Sequence, residues 1–171
     1  MASKNPSIHF VIMGGTIDSF YDGTKDTAVP NRHSVVPRYI AGTKMTSCKF
    51  SEIAMKDSRQ LGPADINKMV HAIEKSPCTK IVVTHGTYTL PDTARYLKVH
   101  LKRKDQTIVF TGSMIPLEFP FSDGGFNLGF AVSKAQTLEA GIYICFDGRV
   151  FTPEEVAKDI RKGKYYSIYT R

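Results

Sequence analysis

The 171-residue sequence lacks both a long hydrophobic segment and an apolar stretch near its start. No apolar run approaches the roughly 20 residues that a helix needs to cross a bilayer. The first six residues, Met-Ala-Ser-Lys-Asn-Pro, lack the apolar core of a secretory signal. From these two absences we predict no membrane association and a cytoplasmic location.

Cysteine is scarce, and the sequence motifs that hold cofactors and metals are missing. The three cysteines, Cys48, Cys78 and Cys145, are widely spaced and odd in number, which fits neither a disulfide framework nor a zinc site. The Gly-Gly-Thr segment at 14–16 lacks the GxGxxG spacing, and there is no GxxxxGK[ST] loop. The acidic residues between positions 18 and 26 lack histidine partners at metal-ligand spacing. We therefore expect reduced thiols, no cofactor and no metal.

Negative charge is in short supply: 16 acidic residues face 23 Lys and Arg, for a net charge of +7 and a pI of about 9.3. A basic chain raises nucleic acid as a partner. The basic residues concentrate in two clusters, Lys98, Lys102, Arg103 and Lys104, then Lys158, Arg161, Lys162, Lys164 and Arg171. No aromatic-rich strand pair or zinc motif accompanies either cluster. We predict solvated basic faces rather than a nucleic-acid site.

Strand-like and helix-like segments alternate along the chain. Apolar runs predict strands at 8–13, 52–55, 80–84, 107–111 and 141–146. Helical spacing is shared by Ile66, Met69, Val70 and Ile73. Further helices are predicted from about Pro91 and over 123–137. Strands separated by helices indicate an α/β fold of three layers, a mostly parallel sheet flanked by helices. We expect residues 1–171 to form a single domain.

Two segments lack a clear pattern. Residues 18–33 are rich in Asp, Gly, Thr, Pro and Asn and are predicted to be a long polar loop. After a turn at 147–149, residues 150–171 are predicted to be a basic tail that is partly helical from Pro153.

Glycine and hydroxyl residues directly follow three predicted strands. Gly-Gly-Thr lies at 14–16, Thr-His-Gly-Thr at 84–87, and Thr-Gly-Ser-Met at 111–114. Open α/β sheets bind ligands at the carboxyl ends of their strands, so we expect one polar site. Glycine lets a ligand approach backbone N–H groups, which bind carboxylates or oxyanions. Thr16 and Thr87 then supply two hydroxyls, either of which could be a nucleophile beside a base; alternatively, each threonine only caps a helix or closes a turn.

These segments, together with Asp57-Ser58, residues 122–127 and Gly148-Arg149, resemble the motifs of the bacterial-type L-asparaginase family and occur in its order. The resemblance runs from about Ile8 to Tyr165 and covers the N-terminal domain of the two-domain enzymes. It implies the Rossmann-like or flavodoxin-like fold of that domain, with the C-terminal domain absent, as in the short single-domain members. It also implies hydrolysis of the side-chain amide of L-asparagine or a related small amide, with no cofactor, by a homodimer or larger homo-oligomer.

The resemblance implies roles for individual residues. Thr16 matches the nucleophile that attacks the substrate's side-chain amide and forms an acyl-enzyme, and Thr87 matches the threonine that supports attack by water. Ser58 matches the serine that binds the substrate's α-carboxylate. Tyr21 lies in the mobile loop that contributes a catalytic tyrosine. The other candidate substrate-binding residues are Gly15, Asp57, Gly86, Tyr88, Ser113 and Met114.

Two positions depart from the family pattern. Tyr88 replaces the aspartate that binds the substrate's α-amino group and joins a proton network with a lysine. The position aligned with that lysine is Gln106, with Lys104 two residues earlier. Glutamine is not a base at neutral pH, and a phenol with an ordinary pKa near 10 is a poor one. Losing both members of the pair predicts a rate at least about a hundredfold lower.

Two hypotheses of function therefore stand. The first is an asparaginase-like amidohydrolase that uses Thr16 and Thr87. The second is a catalytically weak or inactive homologue that binds a small carboxylate or acts as an assembly module.

Overall fold

A computed structural model describes residues 8–45 and 47–169. The strands are β1 (Ile8–Gly14), β2 (Ser19–Asp22), β3 (Thr27–Pro30), β4 (Cys48–Lys56), β5 (Lys80–Thr84), β6 (Thr107–Thr111), β7 (Gly141–Phe146), β8 (Arg149–Phe151), β9 (Val156–Asp159) and β10 (Lys164–Ser167). The helices are α1 (Val36–Gly42), α2 (Pro63–Glu74), α3 (Leu90–His100) and α4 (Gly124–Thr137). None of the helices in the described ranges is long and apolar enough to cross a bilayer.

Six strands form the central sheet, in the order β4-β1-β5-β6-β7-β8. The first five run parallel, and only β8 pairs antiparallel, with β7. Parallel neighbours require crossover connections, and each crossover between the five parallel strands contains one of the helices α1 to α4. All five parallel strands therefore end at the same edge of the sheet, where the segments after β4, β1 and β5 are neighbours.

Helices cover both faces of this sheet. On one face, side chains of α2 and α3, such as Met69, pack with strand residues such as Val83. On the other face, α1 and α4 contribute side chains such as Leu128, which pack with Val82. Because successive strand residues point to opposite faces, a strand covered on both sides is apolar throughout. The predicted three-layer α/β arrangement is confirmed.

The buried elements agree best with the sequence-based prediction. The predicted bounds of β5, β6 and β7 coincide with those in the structure. Strand β4 is longer than the predicted 52–55, because most of its residues are only partly buried and break the apolar pattern. Helix α1 is absent from the prediction: it is seven residues long and buries only Val36 and Ile40, too few to establish a helical period.

Residues 18–33 are not a loop throughout. They contain the antiparallel hairpin β2–β3, in which Ser19 pairs with Pro30 and Asp22 with Thr27. The turn places Asp26 at a φ of 50°. The polar, exposed composition hides this pairing, because neither strand has an alternating apolar face.

The helix predicted from Pro153 is wrong. The chain instead forms β8 and then the antiparallel hairpin β9–β10, whose turn includes Gly163 at a φ of 60°. The carboxylate of Glu155 accepts hydrogen bonds from the Thr152 N–H at 2.7 Å and the Ser167 hydroxyl at 2.9 Å, which ties this segment to β10. Arg171 of the second basic cluster lies outside the described residues, as does the segment before Ile8.

Candidate active site

The carboxyl ends of the neighbouring strands β4, β1 and β5 meet in one polar pocket. Its volume is about 220 Å³, and it is lined by Gly15, Thr16, Asp57, Ser58, Arg59, Gly86, Thr87, Tyr88 and Lys158. The structure therefore brings the segments at 14–16, 57–58 and 86–87 together, as the sequence predicts. Arg59 and Lys158 are not among the site residues expected from the sequence.

Two glycines allow these segments to approach each other. Gly15 has a φ of 87° and a ψ of −171°, and a Cβ there would lie 2.2 Å from the Cα of Gly86. A Cβ on Gly86 would lie 2.6 Å from the Cβ of Ser58. The Gly15 N–H donates to the carbonyl of Lys56 at 2.9 Å, so this amide holds β1 and β4 together instead of facing a ligand. Glycine is therefore needed at positions 15 and 86 because a side chain there would prevent the backbone segments from coming this close.

Three hydroxyl residues line the pocket. Thr16 is half-buried at the start of the short 3-10 turn Thr16–Asp18, while Thr87 and Ser58 are buried. The Ser58 Oγ accepts a hydrogen bond from the N–H of Thr89 at 3.4 Å. That geometry leaves the Ser58 hydroxyl hydrogen to donate to an acceptor in the pocket.

Lys158 on β9 supplies the basic group of the pocket. Its ammonium Nζ donates to the Oγ1 of Thr87 at 2.7 Å, and the phenol of Tyr165 holds the Thr87 carbonyl at 2.6 Å. Burial, and secondly the charge of Arg59, lowers the pKa of Lys158 from its usual 10.5, against the opposing effect of Asp57. A lowered pKa favours the neutral amine, and it is only in this neutral form that a lysine in contact with a hydroxyl can accept that hydroxyl's proton.

Sequence reasoning missed Lys158 because it assigned the second basic cluster to a solvated face. The residue lies 71 positions after Thr87, and only the hairpin β9–β10 brings the two together. The one available signal was an excess of lysines after the turn at 147–149, which does not say which lysine turns inward.

The expectation that Gln106 occupies the site's lysine position is wrong. Gln106 precedes β6, whereas the site lies beyond the carboxyl ends of the strands. At about 3.3 Å per residue, it is roughly 17 Å from the far end of β6. Its amide nitrogen donates to the carbonyls of Ile73 at 2.9 Å and Cys78 at 3.3 Å, a structural role at the opposite edge. Lys104, which donates to the carbonyl of Leu101, lies on that side too.

Asp57, Arg59 and Tyr88 form a group at the mouth of the pocket. The guanidinium of Arg59 chelates the Asp57 carboxylate through Nε at 2.9 Å and Nη2 at 2.8 Å. The backbone N–H of Arg59 also donates to the Asp57 carboxylate, at 2.9 Å. Arg59 lowers the pKa of Asp57. The guanidinium carbon of Arg59 lies 5.7 Å from the centre of the Tyr88 ring, and the Tyr88 side chain is 52% exposed.

The structure does not bring Tyr21 into the pocket. Its side chain is 53% exposed on β2, and its phenol donates to the carboxylate of Asp26 across the hairpin. This hydrogen bond raises the pKa of the Tyr21 phenol. In this arrangement Tyr21 contacts the hairpin turn and does not contact Thr16.

Ser113 and Met114 do not line the pocket either. The Ser113 hydroxyl donates to the carbonyl of Ile115, and the Met114 N–H donates to the Asp123 carboxylate at 2.9 Å. Asn127 completes this turn by donating to the carbonyl of Gly112 at 3.0 Å. The polar groups of the segment after β6 therefore bond within their own loop and do not face the pocket. Asp123 and Asn127 order this loop and the start of α4.

His85 and Cys145 are not candidates for catalysis. His85 is fully buried, its Nδ1–H donates to the carbonyl of Gly86 at 2.8 Å, and burial lowers its pKa to about 4, so the ring is neutral at pH 7. Burial raises the pKa of the Cys145 thiol to about 12. A thiol with that pKa is not a nucleophile at neutral pH.

Comparison with known proteins agrees with the fold. The profile described as "Asparaginase, N-terminal" matches residues 7–162. L-asparaginase 2 of Bacillus subtilis is 36% identical over 168 residues, covering 90% of this chain and 44% of that protein. The probable L-asparaginase of Deinococcus radiodurans is 36% identical over 163 residues, covering 92% of this chain and 49% of that protein.

A solved structure shows the same fold. The structure described as a probable cytoplasmic L-asparaginase from Campylobacter jejuni superposes with a TM-score of 0.77 at 26% identity, covering 90% of this chain and 50% of that one. The chain therefore spans about half the length of the relatives it matches. Because the family profile covers nearly all of the sequence, the chain belongs to the asparaginase family, in the part that corresponds to its N-terminal region.

Proposed function

We propose that the chain hydrolyses the side-chain amide of L-asparagine or a related small amide through a threonine nucleophile. The observation that carries this proposal is the 2.7 Å hydrogen bond from Lys158 Nζ to Thr87 Oγ1, in the pocket that Thr16 also lines. A hydroxyl becomes an effective nucleophile or proton carrier when a base lies within hydrogen-bonding distance, and Lys158 meets that condition. The names of the matched relatives, which include asparaginases and a glutaminase-asparaginase, support the same chemistry.

The proposed reaction has two halves. Neutral Lys158 takes the hydroxyl proton of Thr16 through Thr87 as the Thr16 oxygen attacks the amide carbon, and it returns this proton to the amide nitrogen, which leaves as ammonia when the C–N bond breaks. Water then attacks the carbonyl carbon of the Thr16 ester and gives one proton to the same relay. The relay passes this proton to the Thr16 oxygen as the ester C–O bond breaks, and the free acid leaves. Tyr88 takes no proton in this scheme. Lys158 supplies the base in this scheme. The sequence analysis placed that base in doubt because it aligned Gln106 with the lysine of the family.

The test of this proposal is to replace Lys158 by methionine, which keeps an unbranched side chain, one atom shorter than that of lysine, and removes the amine. We expect kcat for ammonia release from L-asparagine, L-glutamine or succinamate to fall at least about a hundredfold. The wild-type rate should rise with pH through the lowered pKa of Lys158, because the neutral amine is the base, and the variant should lose this rise.

The matched control is Lys162→Met in the turn of the same hairpin. Lys162 is exposed, pairs with Asp159 at 3.8 Å and does not line the pocket, so its loss should leave kcat within a factor of about two. Equal activity of Lys158→Met and wild type would overturn the role of Lys158. Ammonia release no faster than background in the wild type would favour the second hypothesis, a binding or assembly module without catalysis.

We further propose that the chain acts in the cytoplasm as a homodimer or larger homo-oligomer. Large apolar side chains on its surface support association: Phe121 is 99% exposed and Phe126 is 64% exposed. The Campylobacter jejuni neighbour, described as a probable cytoplasmic enzyme, supports the location. Light scattering at micromolar concentration should give a mass of at least twice 19.0 kDa, and a monomeric mass would contradict the proposal.

A further inference from the structure

The charged groups of the pocket bear on the kind of amide it accepts. Three charged side chains are present in the described lining: Asp57, Arg59 and Lys158. The Asp57 carboxylate is chelated by Arg59, which neutralises it. The lining then carries one positive charge when Lys158 is protonated and none when it is neutral. In neither state does the pocket present negative charge.

Arg59 is held in place from two directions. The edge of its guanidinium is bonded to Asp57, and its face lies over the ring of Tyr88 at 5.7 Å. This combination of a bidentate ion pair and a cation–π contact fixes the positive group at the mouth of the pocket. Releasing Asp57 for another cation would require its bidentate bond with Arg59 to break.

The remaining polar groups suit a carboxylate. The hydroxyl hydrogen of Ser58 is left to donate, because its oxygen already accepts from the N–H of Thr89. Protonated Lys158 adds favourable charge for an anion and unfavourable charge for an ammonium group. With a volume of about 220 Å³, the pocket is small and suits a short acid amide.

We infer that the preferred ligand is the terminal amide of a short carboxylic acid that carries no free α-ammonium group. Succinamate is the simplest member of this class: it is L-asparagine with a hydrogen in place of the ammonium. This inference rests on the proposed amide hydrolysis at the same pocket and narrows its substrate class. Binding energy comes from the carboxylate, whereas an α-ammonium finds no free carboxylate in the lining, because Arg59 occupies Asp57, and is repelled by Lys158 when that lysine is protonated.

The experiment is calorimetric titration of the Thr16→Ala variant, which cannot turn substrate over, with succinamate and L-asparagine under identical conditions. We expect succinamate to bind at least tenfold more tightly. In Arg59→Gln, which removes one positive charge and frees the Asp57 carboxylate, the ratio of the two dissociation constants should shift at least tenfold towards asparagine. The control is Arg103→Gln: Arg103 chelates Asp105 in the same way, at 3.0 and 2.7 Å, far from the pocket, and its loss should leave the ratio unchanged.

The outcomes distinguish a failure of the inferred substrate class from a failure of the proposed hydrolysis. Equal or tighter binding of asparagine, or no binding of succinamate, overturns the inference. Ammonia release from both amides with a higher kcat/KM for asparagine would leave the proposed hydrolysis standing and refute the substrate class. Selective binding of succinamate without ammonia release from either amide would support the substrate class and refute the hydrolysis.

Discussion

Replacing Thr16 by alanine is expected to lower kcat for ammonia release by at least about 10⁴-fold. The change removes the oxygen that is proposed to form the acyl-enzyme. The substrate-binding residues that remain supply only a small part of the wild-type rate enhancement. Thr16 is only half-buried and the new side chain is smaller, so the fold should tolerate it. The measurement is ammonia release under saturating amide, with the melting temperature of each variant as a check of folding.

The control for this prediction is Thr24→Ala in the neighbouring hairpin. Thr24 is exposed, and its hydroxyl donates to Asp22 away from the pocket, so activity should stay within a factor of about two. A second variant, Thr87→Ala, separates the two threonines. If Thr16→Ala stays active while Thr87→Ala is inactive and no ester forms on Thr16, then the nucleophile is the threonine that Lys158 contacts, and the proposed order of events is wrong.

Gly15→Ala should have the largest effect on stability. Its φ of 87° and ψ of −171° fall in a region that only glycine adopts readily, and its Cβ would lie 2.2 Å from a backbone atom of Gly86. Backbone strain and overpacking together should lower the free energy of unfolding by about 3–5 kcal/mol. Because the segments that follow β1 and β5 must then separate, Thr16 and Thr87 move apart and ammonia release should also be lost.

Gly129→Ala in α4 is the matched control. A Cβ at this position would meet no neighbouring atom within 4 Å, and the residue is exposed in a helix. Alanine there should stabilise the protein by up to about 1 kcal/mol and leave activity unchanged. Urea denaturation of both variants measures the difference. A Gly15→Ala protein as stable and active as the wild type would show that the contact between β1 and β5 is not required.

The sequence alone predicts the sheet well because the strands are buried on both faces. A run such as 80–84 or 107–111 has to be apolar along its whole length, and its bounds are marked where polar residues resume. Exposed elements carry no such signal. The hairpin β2–β3 and the short helix α1 bury too few side chains for a pattern to emerge, and the pattern of the hairpin β9–β10 wrongly predicts a helix.

The sequence by itself determined where the pocket lies. Glycine and hydroxyl residues after parallel strands meet at one edge of the sheet because the strands share a direction, and Thr16, Ser58 and Thr87 do line one pocket there. The same argument failed for Ser113 and Met114, because the Ser113 hydroxyl donates to the carbonyl of Ile115 and the Met114 N–H donates to the Asp123 carboxylate, within their own loop.

Only the tertiary structure decided which charged groups enter the pocket. Lys158 reaches Thr87 across 71 residues of sequence, and Gln106, which the family pattern places in that role, lies at the opposite edge of the sheet. By contrast, Asp57 and Arg59 pair within one short turn, and the packing of the chain adds only the contact of Arg59 with the ring of Tyr88. Local patterns record burial and turns, whereas the meeting of side chains distant in sequence depends on how the whole chain packs.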